Sequence, residues 1–410
     1  MKVLFINNGL THYYNMVLNR MTREPDVDLT LLVPVEVSRS VGEGVHLSRE
    51  GICFRVLERE ETHCFVVYHS FRGLFSLLLK ERPEIIIFND YYLYGFLLNL
   101  PLALLLRLLG IKLVMKSIPF RIPVYDQAKA RSFTAPLMVE EASTLVRYVG
   151  SMPKLLGMLR RCELLVRRVA YQLSDAHVNY VDEAYAVYGS YGVAQNRIFV
   201  TRNSPDTDAL FSAREAASRL EPVLPPSDFR LIHVGRLVAW KRVDLLLRAF
   251  ACLRARYPQS ELIIIGNGPE APVLKRLAED LGVASCTRFL GGIYDPVELG
   301  RYFISSTVYV LAGLGGLSIN EAMCFGLPVV CSVCDGTEKV LVREGVNGCY
   351  FRDGDENDLV RAISYLFDRP DYRREMGQNS LAIIRDEVNI STVISKYMQA
   401  LRYVIGKEQE

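Results

Sequence analysis

The chain alternates short, largely apolar runs with longer stretches whose apolar residues recur every three to four positions. Runs of the first kind fall at residues 2–7, 27–33, 84–88, 111–115 and 176–180. Their predominantly apolar character predicts parallel strands covered on both faces. Helical spacing fills the gaps, as at 11–21 and 71–80. A second set begins near Phe229, with strands predicted at 231–234, 261–265, 287–290, 308–311 and 328–332. Helices are predicted between them at 243–257, 271–281, 296–304 and 318–325, and a last one at 390–404. Such an order predicts an α/β protein built of two doubly wound, Rossmann-like domains facing across a cleft. The expected boundaries are 1–210, a linker at 211–228 carrying Pro222, Pro225 and Pro226, a second domain at 229–385, and a 386–410 helix that packs back on the first.

Composition narrows the class. Half of the 410 residues are apolar and 23% are charged, which excludes a disordered chain, a collagen-like repeat and a small disulfide scaffold. Forty-eight basic against 46 acidic side chains leave a charge of +2, without the basic excess of a dedicated nucleic-acid binder. The greasiest stretch, 93–115, is broken by Asn99, Pro101, Arg107 and Lys112, so it reads as helix, turn and strand. No secretory signal precedes the first strand, and the nine cysteines follow no framework spacing. Together these features predict reduced thiols and a cytoplasmic location.

In such folds ligands sit beyond the carboxyl ends of the strands, so the loops there hold the candidate chemistry. His233-Val234-Gly235-Arg236-Leu237, with Lys241 beyond it, places two fixed cations after a strand. An arginine fork and a lysine point charge can clamp a diphosphate, or simply sit in solvent. Gly313-Leu314-Gly315-Gly316-Leu317-Ser318 runs into a helix holding Glu321. Free amides there suit an anion, and the acid suits a pair of hydroxyls or else merely favours the helix dipole. Gly266-Asn267-Gly268-Pro269 imitates a dinucleotide fingerprint, but Cys286, Thr287 and Arg288 stand where its ribose acid belongs, so it reads as a strand-to-helix turn.

Other strand ends are less distinctive. Asn7-Asn8-Gly9 follows the first strand, and Gly9 allows close approach of a phosphate while His12 opens the next helix. Asn89-Asp90 follows another strand, as a cleft-facing pair or an Asx turn. Residues 154–168 spell an amphipathic helix with Leu155, Met158, Leu159, Cys162, Leu165, Val166 and Val169 as its apolar stripe. Lys154, Arg160, Arg161, Arg167 and Arg168 form a basic face for anionic lipid or for solvent. Cys331 and Cys334 lack a second ligand pair, so no metal site is expected.

Between Leu231 and about Phe367, the ordered segments HVGRLVAWKRVDLLLRAF, LIIIGNGPE, RFLGGI, GLSINEAMCFGLPVV, EKVLVREGVNGCYF and DGDENDLVRAI resemble the nucleotide-sugar domain of family-4 retaining glycosyltransferases, of glycosyl transferases group 1. The resemblance implies the two-domain GT-B fold and a metal-independent, retaining hexosyltransferase without a cofactor beyond its donor substrate. Residues 229–385 would bind the nucleoside-diphosphate sugar and residues 1–210 a sugar or lipid-linked acceptor. Arg236 and Lys241 would hold the diphosphate with Gly235, Glu321 the ribose, and the backbone of Gly316, Leu317 and Ser318 the phosphates and sugar. Leu290, within Arg288-Phe289-Leu290-Gly291, would border the base, with Gly9 on the donor and His12 catalytic. Asn89 and Asp90 would meet the acceptor.

Two positions depart from the family pattern. An acid common in the family falls on Gly313, and its usual histidine falls in Lys116-Ser117-Ile118-Pro119, leaving His12, Asp90 or Lys116 as replacements. The implied setting is bacterial surface polysaccharide or glycolipid assembly, at the inner face of the plasma membrane through the 154–168 helix. Competing readings are a non-catalytic nucleotide-sugar subunit or sensor, and an NAD(P)-dependent enzyme modifying sugar nucleotides. The latter lacks its ribose acid after Gly268.

Overall fold

The computed structural model describes residues 1–36, 47–64, 68–97, 99–117, 122–131, 153–333 and 336–406. The chain divides into two compact units. The first holds the described residues of Met1–Val41, Leu47–Thr201 and Ile394–Glu410, and the second those of Arg202–Val393.

In the first unit, β1 (Lys2–Ile6), β2 (Asp28–Pro34) and β3 (Arg55–Arg59) lie to one side of the sheet. A hairpin of β4 (Glu61–Cys64) and β5 (Tyr68–Phe71) stands apart from it. On the other side follow β6 (Ile85–Asn89), β7 (Lys112–Ser117), β8 (Ala176–Asn179) and β9 (Ile198–Val200). The seven-stranded order is β3-β2-β1-β6-β7-β8-β9, parallel throughout, and the direction of winding reverses between β1 and β6. Ile85, Ile86, Ile87 and Phe88 are fully buried, as apolar runs between two helical layers must be.

The second unit repeats the plan. Its strands are β10 (Arg230–Val234), β11 (Glu261–Ile265), β12 (Thr287–Phe289), β13 (Val308–Leu311), β14 (Val329–Cys331) and β15 (Gly348–Tyr350). They form one parallel sheet ordered β12-β11-β10-β13-β14-β15, with the reversal between β10 and β13. Its helices start where sequence signals place them. At Pro296–Ile304 the Asp295 carboxylate accepts from the Glu298 amide at 2.7 Å and proline takes the first turn.

Three expectations are corrected. Residues 211–228 do not link the units: Thr207–Ser218 is a helix of the second unit, and Leu224 is buried in that unit's core. The change of unit falls at Thr201–Arg202, because the prolines that suggested a linker only turn the chain from this helix into β10. The helix expected at 154–168 spans Pro153–Leu173, and its side chains are described from Arg161 onwards, so Lys154 and Arg160 lie outside them. There Leu164, Ala170 and Tyr171 are buried, whereas Cys162, Leu165 and Val169 of the expected apolar stripe face solvent. The helix has turned because Glu163 and Arg167, paired at 2.6 Å, carry their polar heads to the Tyr94 hydroxyl, which donates to Glu163 at 2.7 Å. Third, β3, the β4–β5 hairpin, β9 and β15 are strands that the apolar pattern does not announce.

The last helix, Ile390–Val404, belongs to the first unit from Ile394 onwards. There the Tyr397 hydroxyl lies 3.3 Å from that of Tyr14, and Tyr403 packs on Phe199 with ring centroids 5.4 Å apart.

Candidate functional site

The reversal between β10 and β13 brings two strand-end loops of the second unit side by side. After β10 the chain turns at Gly235, whose amide donates to the Ile265 carbonyl at 2.9 Å. The Leu237 amide donates to the Asn267 carbonyl at the same distance. A methyl group on Gly266 would stand 1.8 Å from the Gly235 carbonyl oxygen, and one on Gly268 2.2 Å from that of Leu237. The glycines of the Gly266-Asn267-Gly268 turn therefore serve close backbone packing against the cation-bearing loop.

Arg236 and Lys241 leave this loop in different environments. The Arg236 guanidinium stacks over Trp240, 5.7 Å from its ring centre. Lys241 is only 7% exposed, and its ammonium donates to the carbonyls of Leu314 (2.8 Å) and Gly315 (2.7 Å). The glycine-rich loop after β13 is thereby tied to the loop after β10. The tie is close enough to exclude side chains: a methyl on Gly313 would meet the Trp240 carbonyl oxygen at 2.3 Å. The Leu314 amide donates to that same carbonyl at 2.9 Å. The acid that the family pattern places at 313 has no room on this backbone.

Beyond Gly315 the chain enters the helix Ser318–Cys324. The amides of Gly316, Leu317 and Ser318 donate to no group among the described residues. The Ser318 hydroxyl lies 2.7 Å from that of Tyr309, on β13, which orients the first turn. In that turn stands Glu321, half-buried and without a hydrogen-bond partner for its carboxylate among the described residues. Burial pushes its pKa up to about 7. Beneath the loops His233 is buried, with Nδ1 3.1 Å from the Val310 carbonyl. Burial lowers its pKa to about 4, so a neutral ring donates through Nδ1 and leaves Nε2 as a buried acceptor without a partner among the described residues.

The structure thus gathers Gly235, Arg236, Lys241, Gly316, Leu317, Ser318 and Glu321 at one reversal point. Leu290 sits two strands away, just past β12, its amide donating to the Ile264 carbonyl at 3.0 Å. The remaining candidates lie in the first unit. Gly9 is buried after β1, its carbonyl accepting from Asn7 Nδ2 at 2.9 Å, and His12 is the exposed first residue of the helix His12–Met21. Asn89 ends β6 with its Nδ2 donating to Asn8 Oδ1 at 2.8 Å, while Asp90 is exposed and opens a short turn. Ile118, Pro119 and Cys334 lie outside the described residues. Among the described residues no three His, Cys, Asp or Glu side chains converge as metal ligands would. The sequence reading gave no role to Trp240 beneath Arg236 or to the buried His233; their only signal is position, on the strand and loop that carry the cations.

Comparison with known proteins identifies the fold. The Anabaena protein HepE, in its structure with UDP, is 15% identical over 98% of this chain and 99% of its own, with a TM-score of 0.64, so the fold is that of the GT-B glycosyltransferases. Residues 216–382 match the family glycosyl transferases group 1, and the second unit carries a domain of that family. Over 211 residues the chain is 29% identical to D-inositol 3-phosphate glycosyltransferase 2 of Catenulispora acidiphila, covering 48% of this chain and 49% of that protein. Alpha-monoglucosyldiacylglycerol synthase of Acholeplasma laidlawii is 29% identical over 37% of this chain and 38% of its own length. The chain thus spans about half the length, or less, of the curated relatives it matches.

Proposed function

We propose that the protein transfers a sugar from a nucleoside diphosphate to an acceptor hydroxyl with retention at the anomeric carbon. The observation that carries this reading is the meeting, at one reversal point of the second sheet, of Arg236, Lys241, three amides and a carboxylate without hydrogen-bond partners among the described residues. The cations and amides suit the diphosphate, and Glu321 suits the two hydroxyls of a ribose. Structures of HepE with UDP support the choice of nucleotide class.

In the proposed reaction the bond from the anomeric carbon to the phosphate oxygen breaks, and the electron pair leaves with the phosphate. The acceptor oxygen bonds to the same face of that carbon, and its proton passes to the departing phosphate oxygen. Arg236, Lys241 and the amides of 316–318 are fixed before charge develops, which is how preorganised donors lower a barrier. Gly9, His12, Asn89 and Asp90 are proposed contacts of the donor and acceptor from the first unit.

A lipid-linked acceptor at an anionic membrane surface is the proposed setting. Leu100, Leu104 and Leu108 stand exposed on the helix Leu100–Leu108, and Leu165, Val169 and Leu173 on the helix Pro153–Leu173. Arg107, Arg161 and Arg168 are exposed on the same helices. Apolar ridges with basic neighbours suit a headgroup layer, and the likeness to alpha-monoglucosyldiacylglycerol synthase supports it. No single helix among the described residues is long and apolar enough to cross a membrane.

Thermal-shift titration with UDP- and GDP-sugars tests the donor reading, on the wild type and on the double variant Arg236→Ala/Lys241→Ala. At a hundredfold excess over Kd a bound donor stabilises by roughly 2.7 kcal/mol. One donor should produce the shift and the double variant should lose it. Absence of a shift with every nucleotide sugar, alongside one with NAD(P), would overturn the transferase reading.

A further inference from the structure

The carboxyl edge of the first sheet holds a cation that the donor site does not use. Lys116 lies at the end of β7 beside Asn89, its register partner on β6. Strand alternation sends Lys112, Val114 and Lys116 to one face, and Leu113, Met115 and Ser117 to the other. On its face the Lys116 ammonium rests 3.7 Å from the ring centre of Tyr14 and 5.3 Å from that of Tyr180. The Tyr14 hydroxyl lies 3.4 Å from that of Tyr180 and 3.3 Å from that of Tyr397, so the rings are held in place from three separate stretches of the chain.

Among the described residues no carboxylate pairs with Lys116 and no acceptor takes its hydrogen bonds. Burial alone holds this amine well below the ordinary lysine range. The tyrosine faces offset only part of the cost of keeping an ammonium out of water. A neighbouring polar atom is unsatisfied too: Asn89 Oδ1 is buried without a donor, although Nδ2 of the same amide is engaged by Asn8. Both stand at or next to the reversal between β1 and β6, where doubly wound sheets take their ligands.

We infer that Lys116, walled by Tyr14 and Tyr180, binds an anionic group of a sugar substrate, a carboxylate or a phosphate, while a hydroxyl of the same molecule donates to Asn89 Oδ1. The inference rests on the transferase reading and narrows its acceptor to an acidic or phosphorylated sugar. An incoming anion supplies the missing counter-charge, and a neutral sugar does not. Lysine rather than a hydroxyl residue at 116 therefore selects among acceptors by charge.

The test uses the full chain and three probes: glucose, glucuronate and glucose 6-phosphate, titrated by ligand-observed NMR. The wild type should bind one of the anionic probes about tenfold or more tightly than glucose, the scale of one charge-assisted hydrogen bond. Lys116→Met should erase that preference, while Lys116→Arg should keep most of it. Whichever anionic probe wins identifies the group as carboxylate or phosphate. Equal binding of all three probes to the wild type would overturn the inference without recourse to any variant. So would an anion preference that survives in Lys116→Met, with folding of that variant checked by its UDP titration. UDP binding without anion preference sinks this inference alone, whereas failure of every nucleotide sugar sinks the transferase reading.

Discussion

The Lys241 ammonium donates to the Gly315 carbonyl at 2.7 Å, joining the loop after β10 to the loop after β13. One side chain thus sets the spacing of the two halves of the proposed donor site, as well as lending it charge. Lys241→Met keeps the stem and removes both bonds. Loss of the charged donor should weaken UDP binding by about 10- to 100-fold and lower unfolding stability by about 1–3 kcal/mol. Calorimetric titration and urea denaturation would measure the two effects separately.

Glu321 gives the protein a pH signature. Its carboxyl has a pKa near 4.5 in an unfolded chain and is raised to about 7 by burial. The folded state therefore holds a proton that the unfolded state has released, and stability falls as pH rises between those values. Urea unfolding at about pH 5 and about pH 8 should show a loss on the order of 2 kcal/mol, absent in Glu321→Gln. Donor binding should run the other way, because ribose hydroxyls donate best to the ionised acid. UDP-glucose should bind several-fold more tightly at about pH 8 than at about pH 6, and the variant should flatten that slope.

At Gly313 the prediction concerns space. A methyl group there would stand 2.3 Å from the Trp240 carbonyl oxygen and 2.7 Å from the Lys241 carbonyl carbon, both backbone atoms. Gly313→Ala should cost about 1–3 kcal/mol, the usual range for overpacking, and displace Lys241 with a parallel loss of UDP affinity. Gly313→Glu, which restores the acid of the family pattern, should be worse, not better. Gain of donor turnover in that variant would contradict this account.

The membrane reading depends on leucines that water does not favour. Leu104 is 59% exposed and Leu108 75%, on the outer side of a helix whose Leu102, Leu105 and Leu106 are buried. Leu104→Ser/Leu108→Ser should leave the fold intact and reduce sedimentation with anionic liposomes. Arg168→Glu should reduce it in a salt-sensitive way. Sedimentation unchanged in both variants would remove the membrane setting and leave the donor site untouched.

Much of this architecture is legible in the chain because buried parallel strands are written as unbroken apolar runs. β11 and β13 coincide with their expected spans, and Pro296–Ile304 and Ile390–Val404 do likewise. The run Arg55–Arg59 is unreadable by the same rule: β3 is an edge strand, half-exposed and charged, so its sequence records solvent rather than a core. The helix Pro153–Leu173 misleads for a different reason. Its apolar residues outnumber what one buried face can take, and periodicity alone does not say which stripe packs. The residues of the proposed donor site stood out in the sequence because glycines and fixed cations cluster in loops after strands, and the structure brings those loops together. Lys116 was less so, since a single lysine closing an apolar strand looks like an ordinary boundary until the rings around it are seen.

The route of the backbone has a consequence for how such a protein can be taken apart. Among the described residues, 202–393 form one unit, and the pieces before and after them together form the other. In genetic terms the second unit is a cassette inserted into the first, with splice points at Thr201–Arg202 and Val393–Ile394. Exchange of that cassette between relatives would swap the second unit, with its proposed donor site, at two joints. A simple stop codon at residue 393 would instead strip Tyr397 from Tyr14 and leave the remaining module incomplete.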